Sequence, residues 1–285
     1  MLTVPAFAGP PYVTDDPEPT PYRGYEIYLA SDYARSPDGV DVTVPHLEFN
    51  YGLMPNVQVT TTIPLAGSQF PHGAMHLGYG DTEFEIKARL IQETDHFPQI
   101  SIAPTVVLPS GNARNNLGGG YEKAFYPIWA EKALGKYTLF GGGGRWHNPG
   151  ADNQDYTFTG VAVIRDMGHG LTVGTELFGQ SADTVGGSGS VGFNFGANRQ
   201  IDEHHEILVS LGRSLRGPNT FSAYAAYGLI LGPRDKADAG DKADTGDKPS
   251  DKADTGDKPS DKADTGDKPS DKADTGDKPV ASEKP

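Results

Sequence analysis

The sequence predicts an all-β protein: a closed antiparallel up-and-down transmembrane β-barrel of about twelve strands, with a disordered C-terminal repeat tail. Three observations predict it. First, Phe84, Ile86, Ala88 and Leu90 alternate with Glu83, Glu85, Lys87 and Arg89, and after a short turn Ile100, Ile102, Val106 and Leu108 alternate with Gln99, Ser101, Ala103 and Thr105. This period of two marks strands with one apolar and one polar face. Four consecutive charges on the inner face are costly in a dry core but suit a wall with lipid outside and water inside; the other setting that suits them is a soluble sheet with its charged face in bulk water. Second, short and long connections alternate along the chain. Third, no stretch reaches the ~20 apolar residues of a membrane helix, whereas barrel strands need only ~9–11 alternating ones.

The N-terminal residues Ala6-Phe7-Ala8 precede Gly9 in an Ala-x-Ala cleavage pattern, so residues 1–8 read as the remnant of a signal peptide. Residues 9–21 are proline-rich and cannot form a helix or a central strand. They read as a loose lead-in or as a segment folded into the barrel mouth, with Asp15, Asp16 and Glu18 either holding a cation or, the reading preferred, standing as solvated charges.

Residues 22–233 supply the barrel, with strand candidates at 22–33, 42–53, 57–65, 82–90, 100–108, 124–134, 136–147, 156–165, 171–180, 191–198, 206–213 and 221–231. In the second, Leu47, Phe49, Tyr51 and Leu53 face out and His46, Glu48 and Asn50 face in. In the eighth, Tyr156, Phe158, Ala162 and Ile164 oppose Thr157, Thr159 and Arg165, with Arg165 assigned to the lumen. In the ninth, Leu171, Val173 and Leu177 face out, opposite Thr172, Glu176 and Gln180. The phase of the sixth and eleventh is ambiguous. Short connections are expected at 54–56, 94–98, 134–135 and 166–170, and longer ones at 66–78, 109–123, 148–155 and 181–190. Barrels alternate short periplasmic turns with long outer loops in this way; the first and eleventh connections are shorter than that rule, and 199–205 is longer. An even strand number places both termini in the periplasm of an outer-membrane protein. Tyr22, Tyr25, Tyr33, Tyr51, Trp129, Tyr137, Trp146, Tyr156 and Tyr227 are expected in girdles near the strand ends. Gly141–Gly144 predicts sharp coiling or the close approach of another segment inside the lumen.

Residues 234–285 change character. The unit Asp-Lys-Ala-Asp-Thr-Gly-Asp-Lys-Pro-Ser starts at Asp241, Asp251 and Asp261, and recurs from Asp271 with Val280 in place of serine. No large apolar residue recurs in it, so the repeats cannot stack into a core. A flexible chain of this length has an end-to-end distance on the order of 40 Å, enough to reach a periplasmic or cell-wall contact. The chain of 285 residues carries −14, of which the tail from Asp235 carries −5. The acidic balance argues against nucleic acid as a partner. Absence of cysteine fits an exported protein.

Few motifs carry chemistry. Gly187-Ser188-Gly189-Ser190-Val191-Gly192 fits G-x-G-x-x-G but precedes a strand instead of opening a helix. His72 with His76, and His204 with His205, read as exposed loop histidines; no metal, cofactor or catalytic residue is assigned. The candidate site residues are the lumen charges Glu48, Glu83, Glu85, Lys87, Arg89, Arg165 and Glu176. Charges of both signs on one wall either set a transverse field that selects solutes or form a salt-bridge network that closes the lumen.

The run Gly9-Pro10-Pro11-Tyr12-Val13-Thr14-Asp15-Asp16-Pro17-Glu18-Pro19 resembles the N-terminal motif of an exported family of outer-membrane barrels labelled "MetA-pathway of phenol degradation". So do Gly80-Asp81, Leu108-Pro109-Ser110-Gly111-Asn112, Gly141–Gly144 followed by Arg145-Trp146-His147-Asn148-Pro149-Gly150, and Gly174-Thr175-Glu176-Leu177-Phe178. The resemblance covers residues 9–233. It implies a twelve-stranded barrel with a transporter or porin-like role, related to the channel that exports functional amyloid subunits. Amyloid export itself is not carried over, and Arg145 departs from the aromatic expected beside Trp146. The sequence thus points to an outer-membrane channel, in contact with lipid, that passes small solutes, aromatic or hydrophobic ones among them. The alternatives are a non-conducting structural or adhesion barrel tethered by its tail, and a barrel enzyme of the lipase or protease type.

Overall fold

The strands close on themselves. The computed structural model describes residues 11–233; the expected signal-peptide remnant and repeat tail lie outside the described residues. The described strands are β1 (Tyr25–Ser36), β2 (Gly39–Met54), β3 (Val57–Gln69), β4 (His76–Tyr79), β5 (Thr82–Ile91), β6 (Gln99–Ile102), β7 (Thr105–Leu108), β8 (Lys123–Leu134), β9 (Tyr137–His147), β10 (Tyr156–Gly168), β11 (Leu171–Gln180), β12 (Ser190–Gln200), β13 (His205–Arg216) and β14 (Phe221–Leu231). Each pairs antiparallel with its neighbours, and β1 pairs with β14, Tyr25 opposite Leu231 and Arg35 opposite Phe221. β4 and β5 both pair with β3 and form one wall position, as do β6 and β7 between β5 and β8. The wall therefore has twelve positions, the number expected.

Closure removes the sheet edges that hydrocarbon cannot hydrate. Alternation then sorts the side chains. Leu29, Leu47, Phe49, Ile63, Phe84, Ile86, Ile128, Leu139, Leu177, Phe195, Val209 and Leu211 stand exposed on the outer face, the apolar band of a transmembrane barrel. At the end where the described chain enters and leaves the wall, Tyr25 stacks on Tyr51 at 4.7 Å and Tyr227 on His205 at 5.7 Å.

Four expectations need correction. The segment 66–78 is not one long loop: β3 runs on to Gln69 and β4 starts at His76, so only 70–75 connects them. Arg165 is not in the lumen. It pairs with Tyr137 and Val173 on the outer face, and its guanidinium lies 5.4 Å from the Tyr137 ring centroid near the strand end, where a long charged side chain can reach the headgroups. Trp129, Trp146 and Tyr156 are not girdle residues; they are buried inside with Phe125 and Phe158. The phase of β10 is inverted because its inner face packs on an apolar interior, leaving Thr157 and Thr159 outside. The alternation also settles β8 and β13: Phe125, Trp129, Leu208 and Ser210 face in.

Val209 lies in the middle of β13 on the outer face, opposite Ala197 and Ala225. Val209→Arg is expected to cost ~2–4 kcal/mol of folding into a bilayer. A urea titration of folding into vesicles, read by heat-modifiable gel mobility, checks this; an unchanged midpoint would place Val209 away from lipid.

Candidate functional site

Residues 11–21 run inside the barrel. Proline at 11, 17, 19 and 21 denies them regular structure, so their backbone polar groups need partners from the wall. Thr20 donates from its N–H and its hydroxyl to Gln58 Oε1 at 2.7 and 2.8 Å. Glu18 accepts from Arg89 at 2.6 Å, and Asp15 pairs with Lys87 at 2.8 Å. The N–H groups of Val13 and Thr14 each donate to one carboxylate oxygen of Glu176 at 2.8 Å, and Asn194 Nδ2 donates to the same group. Tyr12 donates from its hydroxyl to Gly196 O at 3.3 Å. The anchors lie on β3, β5, β11 and β12, so the segment crosses the lumen from one wall to the opposite one. Two wall glycines make room for it. A Cβ at Gly160 would sit 2.0 Å from Thr14 Oγ1, and one at Gly196 would sit 2.8 Å from Tyr12 Cε1. Of the two readings of residues 9–21, a segment folded into the barrel fits the described part, and Asp15 is a buried ion-pair partner instead of a solvated charge.

The other candidate residues are distributed around the wall. Glu48 is buried on the inner face and accepts from Asn50 Nδ2 at 2.9 Å. Glu83 and Glu85 face inward beside Thr62 and Thr105, and Thr105 Oγ1 donates to Glu85 at 3.2 Å. Arg89 also donates to Asn56 and Gln99. Lys87, Arg89 and Glu176 therefore converge on residues 13–18. Glu48, Glu83 and Glu85 lie along the neighbouring wall, and Arg165 is outside. The cations Lys87 and Arg89 pair with the internal segment and not with the wall glutamates.

Sequence reasoning missed the aromatic wall. Phe125 stacks on Trp146 at 4.7 Å, Trp146 stacks on Tyr156 at 5.9 Å, and Val13 of the segment packs into the same cluster. A crevice of about 30 Å³ separates this wall from Glu83, Glu85 and Thr105. On the side away from Tyr25 and Leu231 lies a cavity of about 200 Å³ lined by Asp32, Asp41, His46, Glu83, Trp146 and Asn148, among others; it shares Thr62, Glu83, Trp146 and Tyr156 with the crevice. A second cavity of about 190 Å³ shares Asp32, Asp41 and Asp183 with the first. His46 Nδ1 lies 2.9 Å from Asp32 Oδ2. The 109–122 connection folds over this end, held where Gly111 and Gly119 donate their N–H groups to Asp81 at 2.9 and 2.6 Å. Asp155, in the 148–155 connection, accepts the N–H of Asn148 at 3.0 Å. That bond, then the neighbouring His147 and Arg145, hold its carboxyl below the usual range.

These features define a class: a closed transmembrane barrel of the outer-membrane type, whose interior is crossed by its own N-terminal segment. Solved structures share that barrel. The chain is similar to the COG4313 outer membrane channel from Pseudomonas putida F1, at 15% identity and a TM-score of 0.60, covering 76% of this chain and 98% of that one. It is also similar to the NanC porin (7% identity, TM-score 0.53, 72% and 100% covered) and to a KdgM porin solved with oligogalacturonate (9%, 0.50, 72% and 98%). At these identities the likeness carries the fold, which is the barrel that the family resemblance implied. No protein-family model and no curated protein matches the sequence.

Glu176→Ala is expected to strip the N–H groups of Val13 and Thr14 of their acceptor, at ~1–3 kcal/mol for each buried donor left unpaired. Amide hydrogen exchange at Val13 and Thr14 should then speed by tenfold or more while β11 and β12 stay protected. Unchanged exchange would show that the ion pairs of Asp15 and Glu18 hold the segment alone.

Proposed function

We propose that the protein is an outer-membrane channel that passes small solutes, aromatic and hydrophobic ones among them, with both termini in the periplasm. The observation that carries this reading is an interior that is filled without being fully packed. Two cavities of about 200 and 190 Å³ lie on the side away from the strand termini, and a crevice of about 30 Å³ continues beside Val13. A barrel built only as a membrane anchor needs no such sequence of spaces. The aromatic wall gives a ring-bearing solute a surface to slide along, and the carboxylates opposite keep that path wet. The internal segment sets the narrowest point. Its bonds to Gln58, Lys87, Arg89 and Glu176 are polar and reversible, so a shift of residues 11–18 widens the path without breaking the wall. No residue of the site is assigned a chemical step.

The same segment favours a second reading. A lumen crossed from β5 to β12 also suits a structural or adhesion barrel that does not conduct, with residues 234–285 as a tether to the cell wall. The two readings separate in one preparation. The channel reading expects discrete conductance steps from purified protein in a planar bilayer, and larger steps once residues 11–18 are deleted. A barrel that folds and inserts but never conducts, with or without the segment, leaves the structural reading. Deleting 235–285 should in that case reduce association with the cell wall and leave permeability unchanged.

A further inference from the structure

The cavity of about 200 Å³ has a one-sided chemistry. Six carboxylates line it: Asp32, Asp41, Glu48, Asp81, Glu83 and Asp183. The cationic or ionisable bases that face it are Lys123 and His46, and His46 already sits against Asp32. Lys87 and Arg89, which could have balanced the wall, are committed to Asp15 and Glu18. Carboxylates therefore outnumber bases on this lining by six to two.

Two further observations point to what would satisfy it. Asn148 is buried, 3% exposed, and lines the cavity. Its amide donates to Gln154 O and Asp183 O, at 3.3 and 3.0 Å, while its Oδ1 has no hydrogen-bond partner among the described residues. Asp32 Oδ1, also buried and also lining the cavity, is likewise without one. Both unpaired atoms are acceptors, and both are buried behind the cavity surface, so a small turn of either side chain would offer an acceptor to a donor bound there. Trp146 and Tyr156 line the same space; Trp146 is stacked between Phe125 and Tyr156, so it meets the cavity with its edge and not its face. Among the described residues no group of three His, Cys, Asp or Glu side chains could hold a metal ion, so the lining does not suit a metal that draws its ligands from such a group. It suits a cation that needs only one or two acceptors and fills the rest of the space with carbon. A single water needs ~10–15 Å³ of such space; a cavity of about 200 Å³ has room for a ring and a short chain.

We propose that this cavity is a binding site for a small aromatic amine: its ammonium group is taken by acceptors of the lining, Asp32 and Glu83 first among them, and its ring lies beside Tyr156 and the edge of Trp146. As a statement about what the protein transports, this rests on the channel reading above; as a statement about binding, it stands separately. Nothing covalent is involved. The amine exchanges its hydration for the carboxylates and the aromatic side chains, and leaves past the segment.

The test uses the full chain, folded in detergent, with three probes that share a ring and differ in head group: 2-phenylethylammonium, 2-phenylethanol and 3-phenylpropionate. Calorimetry is expected to show saturable binding of the ammonium, at least tenfold tighter than the alcohol, and none of the carboxylate. Glu83→Gln, which keeps the shape of the side chain, should weaken the ammonium by about tenfold; Asp32→Asn should do the same and carries the test if Glu83→Gln fails to fold. Equal binding of the three probes, or an ammonium affinity unchanged in both variants, overturns the proposal. Reversal potentials in a salt gradient complete the test. A channel that conducts with no preference for cations and does not bind the amine refutes the site and spares the channel. A barrel that binds the amine but never conducts refutes passage and spares the site.

Discussion

Every other feature depends on the hydrogen bonds between β1 and β14. In hydrocarbon an unpaired backbone N–H or C=O costs several kcal/mol, so a sheet of this length is stable in a membrane only without edges. Joining the first strand to the last supplies that condition, and it dictates the character of both faces. The outer face must be apolar and the inner face must be solvated or paired. An even number of wall positions brings Tyr25 and Leu231 to the same end. The internal segment then inherits a closed space in which its own polar groups find partners.

That space is divided by chemistry as much as by shape. One side carries Glu48, Glu83 and Glu85; the other carries Phe125, Trp129, Trp146 and Phe158. The segment lies between them and uses both: Asp15 and Glu18 reach the cations of β5, and Val13 packs into the aromatic cluster. Glu176 is the clearest case of mutual need. Inside a barrel an isolated carboxylate is costly, and so are two backbone N–H groups without acceptors; set against each other, each removes the other's cost.

The strands were legible because lipid and lumen impose opposite demands at alternate positions, and β5 and β11 show this most plainly. The lumen positions of Glu48, Glu83, Glu85, Lys87, Arg89 and Glu176 came from the same alternation. Legibility failed where both faces of a strand are apolar or weakly polar. In β10 the residues between Tyr156 and Ile164 read equally well in either phase, and threonine on the lipid face misdirected the assignment of Arg165. The aromatic wall was hidden for a related reason: Trp129 and Trp146 look like girdle residues in the sequence, since nothing local says which side of the sheet a ring takes. The partners of Asp15 and Glu18 could not be read at all, because they are joined to Lys87 and Arg89 only after the wall has closed. Gly160 and Gly196 gave no local signal either; their meaning comes from a segment far away in the chain.

The internal segment also constrains how the molecule can be built. Tyr12 and Val13 precede every strand and occupy the lumen beside β10–β12, beyond the midpoint of the wall, while the seam joins the first strand to the last. Once that seam is shut, the segment could reach its berth only by threading past the ion pairs and rings that narrow the interior. Laying the segment down while the sheet is still an open trough avoids that passage. On this geometry, the segment ahead of β1 serves as a template around which the strands that follow it curl, and completion of the cylinder locks it in place.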